Sequence, residues 1–134
     1  MKLLITGGTG FIGYHLAKKA VSKGWKVTSI SSNKPKKKRF LKKVKYIKCN
    51  LSNKKKLKKI LNTNFNHVVN LAGYVDHSNK NQTYKSHYLG CVNLANALIN
   101  KKINSFIQMG SSLEYGKKKS PHNELMKCNP ISIY

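Results

Sequence analysis

Acidic residues are nearly missing from this chain of 134 residues. Asp76, Glu114 and Glu124 face 27 lysines and arginines, for a formal net charge of +24. Such a balance raises nucleic acid or an anionic membrane surface as a partner. Arginine is scarce as well: Arg39 is the only one, and the guanidinium fork is what phosphate and base recognition favours. Lysine with abundant asparagine is what an AT-rich coding bias produces. That reading is favoured over a selected polyanion site, so nucleic acid is not the expected partner. Cysteine is sparse too, and Cys49, Cys91 and Cys128 are far apart with no CxxC pair. This speaks against a disulfide framework or a structural zinc site and for reduced thiols. No apolar run approaches the ~18–20 residues of a membrane span. The opening Met1-Lys2-Leu3-Leu4-Ile5-Thr6-Gly7 reaches glycine after a short apolar run, so it lacks a signal-peptide apolar region. A soluble, cytoplasmic protein without a membrane association is expected.

Hydrophobic residues at 40% and charged residues at 22% suit a globular chain. The length suits one domain. Lys2–Ile5 reads as a strand that ends in glycines. Phe11, Ile12, His15, Leu16, Ala17 and Ala20 then recur at helical spacing until Gly24, a C-cap candidate. Trp25–Ile30 is a second strand, and Ser31–Lys43 a lysine-heavy solvated loop. Val44–Ile47 is a third strand. Leu51-Ser52-Asn53 opens a helix carrying Leu57, Ile60 and Leu61 on one face. His67–Ala72 is a fourth strand, apolar enough to be central. Thr83–Lys102 is a long helix with Tyr84, Tyr88, Cys91, Leu94, Ala95 and Leu98 on its buried side, and Ser105–Met109 is a fifth strand. Strands alternating with helices predict an α/β, Rossmann-like, doubly wound parallel sheet. No solenoid repeat and no Pro/Gly/Ser linker divides it. His15 and His67 are expected to be packing residues near the sheet. Asp76, His77 and His87 lack metal-ligand spacing, and no metal site is expected.

Gly8-x-Gly10-x-x-Gly13 follows a strand and opens a helix, the context a dinucleotide fingerprint requires. The first glycines allow a tight turn and close approach of backbone to a pyrophosphate. Gly13 permits helix–strand contact, and the N–H groups at the helix start hold the anion. The usual version adds an acid roughly 20 residues later for the ribose 2′-hydroxyl. Here the second strand ends in Ser31-Ser32-Asn33-Lys34, without one. A carboxylate would repel a 2′-phosphate, whereas hydroxyls, an amide and Lys34 or Arg39 would accept it. NADP(H) is therefore slightly favoured over NAD(H). The alternative is that Ser31 bonds the ribose of either cofactor.

Thr6-Gly7-Gly8-Thr9-Gly10-Phe11-Ile12-Gly13 resembles the TGGTGFIG turn of the extended short-chain dehydrogenase/reductases, the NAD(P)-dependent nucleotide-sugar epimerases, dehydratases and reductases. Asn50-Leu51-Ser52-Asn53 resembles that family's D-L-x-D stretch beside the adenine. Asn70-Leu71-Ala72-Gly73 resembles its H-L-A-A turn against the cofactor. Ser111-Ser112-Leu113-Glu114-Tyr115-Gly116 resembles its S-S-x-x-Y-G segment. Pro121-His122-Asn123-Glu124 and Pro130-Ile131-Ser132-Ile133-Tyr134 match its approach to the catalytic tyrosine. The likeness runs from residue 2 to the last residue, with a faint lean towards the sugar 4-keto-reductase branch.

The resemblance implies a cofactor site of Gly7, Gly8, Thr9, Gly10, Phe11, Ile12, Gly13, Ser31, Ser32, Asn33, Asn50, Leu51, Leu71, Ala72 and Gly73. It implies a catalytic pair in which Ser111 holds the substrate oxygen and Tyr134 moves its proton. A phenol of ordinary pKa about 10 needs a neighbouring cation for that work. The family places a lysine four residues after the tyrosine, beyond this sequence. It places an asparagine on the long helix where His87 stands here. Residues 1–134 are therefore expected to be an incomplete NAD(P)-binding Rossmann domain of five strands, without the C-terminal part and the substrate domain, and without turnover. A homodimer through the long helix is expected of a full-length protein. The other reading is a non-catalytic NAD(P)-binding regulatory or nucleic-acid-binding protein of the same fold.

Overall fold

A computed structural model of the chain describes residues 1–76 and 78–133. Five short strands, β1 (Lys2–Thr6), β2 (Lys26–Ser31), β3 (Val44–Lys48), β4 (His67–Asn70) and β5 (Ser105–Gln108), form one sheet. Every neighbouring pair is parallel, in the order β3-β2-β1-β4-β5. This is the Rossmann-like, doubly wound arrangement expected. The direction of winding reverses between β1 and β4, which makes the C-terminal end of those strands the crevice where such sheets take ligands.

Side chains alternate along each strand, so one residue in two faces each layer. Leu3, Ile5, Val27, Val44 and Val69 form one apolar layer with Ala17 and Ala20 of α1 (Phe11–Ser22). Leu4, Ile30 and Val68 face the other way. They meet Leu57 of α2 (Lys54–Ile60) and Leu94 and Leu98 of α4 (Gly90–Leu98). Asn53 starts α2, its side chain accepting from Lys56 N at 3.0 Å, the cap that asparagine supplies well. Gly24, after α1, has φ +75° and ends that helix as expected.

Three expectations change. The long helix is α3 (Lys80–Thr83), a π turn (Tyr84–Leu89) and α4 in unbroken succession, ending at Leu98 rather than Lys102. The wider π turn rotates the face that follows. Tyr84 and Tyr88, both within that turn, stack on each other while exposed, and Ala95 is exposed with Cys91 only partly buried; Leu94 and Leu98 are buried as expected, joined by Thr83 and Asn93. β4 and β5 stop at Asn70 and Gln108, because the chain leaves the sheet once it passes the crevice. His15 lies exposed against Phe11 and Tyr14, whereas His67 packs as expected, stacked on Trp25 with ring centroids 5.3 Å apart.

Candidate functional site: a cleft at the end of β1

The turn after β1 is held by backbone. Gly7 N donates to Ile30 O at 2.8 Å, and Gly10 N donates to Gly7 O at 3.0 Å. Gly7 has φ +72°, and a Cβ there would meet Leu71 O at 2.6 Å. Gly13 sits on the same turn, where a Cβ would lie 2.5 Å from Gly7 O. α1 thus starts directly against the turn. Its first i→i−4 bond is Tyr14 N to Gly10 O at 3.0 Å, so the preceding N–H groups of the first turn have no helical acceptor. They carry the positive end of the helix dipole.

These N–H groups open beside a cleft of about 290 Å³. Gly7, Thr9 and Gly10 form its floor, Ser31, Ser32 and Asn33 one side, and Asn50 and Leu51 the far end. Leu71, Ala72 and Gly73, the strap that follows β4, form the opposite wall. Eleven of the residues expected at a cofactor site are thereby brought around one space. Gly8 and Gly13 stand behind it as turn and packing positions. Phe11 and Ile12 do not line it, and are 66% and 55% exposed at the start of α1. Four lining residues were missed by the sequence reading: Ile30, Cys49, Val75 and Ser86. Ile30, the last but one residue of β2, and Cys49, the residue after β3, lie at this crevice, and strand register would have pointed to them. Nothing local in the sequence marks Val75 or Ser86.

A polar seam fixes the strap. Thr6 Oγ1 donates to Asn70 Oδ1, and both residues are buried. Asn70 Nδ2 donates to Gln108 Oε1 at 2.6 Å, and Leu71 N to Thr6 O at 3.1 Å. Thus β1, β4 and β5 are tied at their C-terminal ends by side chains as well as by the ladder. His87, on the π turn, reaches back to the strap. Its Nε2 lies 3.0 Å from Tyr74 N and 3.1 Å from Tyr74 O. Gly73 leaves the room for this ring: a Cβ there would meet His87 Cε1 at 2.5 Å. On the adenine side expected of Asn50, its Oδ1 accepts from Ser52 N and from Ser52 Oγ, each at 3.0 Å. Asn93 Nδ2 donates to Leu51 O at 3.0 Å and anchors that turn to α4.

Electrostatics in the cleft are simple. Burial pushes the Cys49 thiol up, with Lys56 pulling the other way, so it stays neutral at physiological pH. Ser31 Oγ is buried without a hydrogen-bond partner. Ser111 lies three residues beyond β5, at the same end of the sheet. Its Oγ accepts from Leu113 N at 3.2 Å and opens a 3-10 turn (Ser112–Tyr115). It does not line the cleft. Tyr134 and His77 lie outside the described residues. Among the described residues, no cluster of three His, Cys, Asp or Glu side chains can hold a metal ion. No helix there is long and apolar enough to cross a membrane.

In comparisons with known proteins, no curated protein matches this chain in sequence. Solved structures match its backbone closely. UDP-glucose 4-epimerase from Thermotoga maritima, solved with UDP-glucose, superposes with a TM-score of 0.91 at 22% identity over 100% of this chain. The Thermus thermophilus UDP-glucose 4-epimerase in complex with NAD gives 0.87 at 23% identity, also over 100% of this chain. The Bordetella bronchiseptica enzyme WbmG in complex with NAD gives 0.90 at 21%, again over 100%. This chain spans 46%, 46% and 45% of their respective lengths. At these identities the likeness establishes the fold. The model of the NAD-dependent epimerase/dehydratase family matches residues 3–134, and with the glycine turn, the strap and the cleft between them, the chain belongs to that family.

Proposed function

We propose that residues 1–134 are the NAD(P)-binding Rossmann domain, still incomplete, of a cytoplasmic enzyme acting on a nucleotide-activated sugar. The reaction is an epimerisation, a dehydration or a 4-keto reduction. The observation that carries this is the cleft itself, at the switch point of the sheet, floored by glycine backbone and walled by Ser31-Ser32-Asn33 and Leu71-Ala72-Gly73. The family match and the UDP-sugar epimerases among the structural neighbours support the substrate class.

The residues fit a dinucleotide. The glycine turn offers N–H groups and no side chain where a pyrophosphate needs both. The partnerless Ser31 hydroxyl suits a ribose hydroxyl. A bound nicotinamide cofactor would supply the hydride acceptor and donor. The chain's own part is to bind and orient it, with Gly7, Thr9 and Gly10 at the phosphates, Ser31 at the ribose, and Asn50 with Leu51 at the adenine. Ser111 would hold the substrate oxygen, and Tyr134 would take or give its proton, work for which a phenol needs a neighbouring cation. NADP(H) over NAD(H) is the cofactor preference we propose. A homodimer through the long helix, here the π turn and α4, belongs to the same proposal for the whole protein.

The test is a fluorescence titration of the 134-residue chain with reduced nicotinamide cofactor. Saturable, weak binding is expected, and Gly7→Val should abolish it, since even a Cβ at this position meets the Leu71 carbonyl at 2.6 Å. Absence of binding in the unsubstituted chain would overturn the reading. The lysines crowded on α2 (Lys54, Lys55, Lys56, Lys58 and Lys59) are what favours a second reading, a nucleic-acid-binding module. Binding to duplex DNA at physiological salt, falling steeply as salt rises, would favour it.

A further inference from the structure

More than half of the positive charge sits in one stretch. Residues 34–59 hold 14 of the 27 lysines and arginines and no acidic residue. An AT-rich coding bias acts along the whole chain and does not by itself gather lysines so closely. The fold keeps them together: the stretch is the loop after β2, then β3, then most of α2, and β3 is the outer strand on its side of the sheet. All 13 of its lysines are exposed. Lysines do blunt a bare strand edge, but Lys45 and Lys48 on β3 suffice for that.

Rings stand among these charges. Phe40 is 57% exposed and lies on Tyr46 of β3, with ring centroids 5.7 Å apart and planes at 30°. Phe11, at the start of α1, is 66% exposed, and the Arg39 guanidinium carbon lies 5.9 Å from its ring centre, a cation–π contact. The 3-10 turn Lys37–Arg39 joins the two ring contacts. The Tyr46 hydroxyl pins that turn, accepting from Leu41 N at 3.2 Å and donating to Arg39 O at 3.3 Å. Two apolar rings are thus held at the surface among cations, which a merely solvated loop does not need. Rings set in a basic surface are what binds single-stranded nucleic acid: cations take the phosphates and unstacked bases lie on the rings. Binding of that kind does not need the guanidinium fork that base reading favours.

We propose that the β3 edge binds single-stranded nucleic acid without sequence preference, a base stacking on Phe40 and phosphates lying along Lys36, Lys37, Lys38 and Lys42. The inference does not rest on the cofactor reading. None of these five residues lines the cleft, so a strand and a dinucleotide bind side by side.

The test is fluorescence anisotropy of the 134-residue chain with a labelled strand of about a dozen nucleotides, within the span one such surface covers. RNA and DNA strands of one mixed sequence are compared with the duplex. A single strand is expected to bind severalfold tighter than the duplex, whose bases are closed to the rings, and the tighter of the two strands names the source. The log–log salt slope should be about −3 to −4, at roughly 0.7 for each of some five phosphates. Lys36→Gln, Lys37→Gln and Lys38→Gln together should lessen it by about 2. Phe40→Leu keeps an apolar side chain and loses the ring face. It should weaken strand binding about five- to tenfold, leaving heparin binding and the melting temperature nearly unchanged. Millimolar NADH should not displace the strand. A duplex bound as tightly as the single strands, or Phe40→Leu without effect, would overturn the inference and leave a general polycation surface. Displacement by NADH would overturn it too, placing the strand in the cleft. Phosphatidylserine vesicles that bind the chain and its Phe40→Leu variant alike, where no strand binds, would assign the edge to a lipid surface instead. Failure of NADH to bind would touch the cofactor reading alone.

Discussion

Gly13 shows how closely the helix and the turn are built into each other. A Cβ there would lie 2.5 Å from Gly7 O and 2.6 Å from Gly8 Cα, both backbone. Backbone has nowhere to retreat, so Gly13→Ala should destabilise the chain by about 1–3 kcal/mol, the usual cost of overpacking. Urea unfolding measures that loss, and the same variant should lose cofactor binding as the turn is pushed open. Cys49 makes a prediction in pH. Burial raises its folded-state pKa, so the unfolded chain releases that proton first. Stability is then level below the unfolded thiol value, ordinarily about 8.5, and falls as pH rises through it. Comparing urea midpoints on either side of that value should show the decline, and Cys49→Val should lessen it. Alkylation followed by mass spectrometry should label exposed Cys128 well before buried Cys49.

Between elements, the contact that decides the cleft wall joins the π turn to the strap after β4. Gly73→Ala should cost about 1–3 kcal/mol because its methyl group strikes the His87 ring. In a His87→Ala background that added cost should largely vanish, since the ring is gone. A double-mutant cycle by denaturant unfolding reads this coupling. Additive costs would mean that Gly73 is needed for some other reason. The sequence showed Gly73 as part of a turn resembling a known one and His87 as a departure from the same family. Nothing in their spacing showed that one makes room for the other. The same limit explains the long helix: apolar periodicity ran on through Tyr84 and Tyr88, but both rings sit within the π turn and are exposed. A period of 3.6 cannot register one widened turn.

At the scale of the whole molecule, charge stands out. α2 carries five lysines in seven residues, with Lys54 and Lys58, and Lys55 and Lys59, at repelling i,i+4 spacing. The helix persists because Leu57 is fully buried against the sheet and α4. With a net charge of +24, self-repulsion opposes the compact state. Raising sodium chloride from roughly 20 to 300 mM shortens the Debye length severalfold and should raise the melting temperature by several degrees. An unchanged melting temperature would mean the lysines are too dispersed to matter. At the far edge of the sheet, Phe106, Ile107 and Met109 stay 38%, 52% and 48% exposed. An apolar edge of that kind pairs readily with another chain, so association of this chain through β5 is expected at high concentration, visible by light scattering.

The alternation of strand and helix, the glycine turn and the expected family were legible in the sequence alone. Each rests on local rules: period-two and 3.6-residue patterning, and the few residue types that a tight phosphate turn tolerates. Those rules also selected most of the cleft, because Gly7, Thr9, Gly10, Ser31 and Asn50 all lie where strands end. What only the tertiary structure decided is what lies across from what. Ser29 opposite Tyr46, Ser31 opposite Lys48, and the His87 ring over Gly73 are pairings between segments far apart in the chain. They depend on strand order, on register and on the phase of one π turn, quantities set by packing the whole sheet rather than by any window of sequence. The ring surface beside β3 exists only because that packing brings Phe11 to Arg39 and Tyr46 to Phe40.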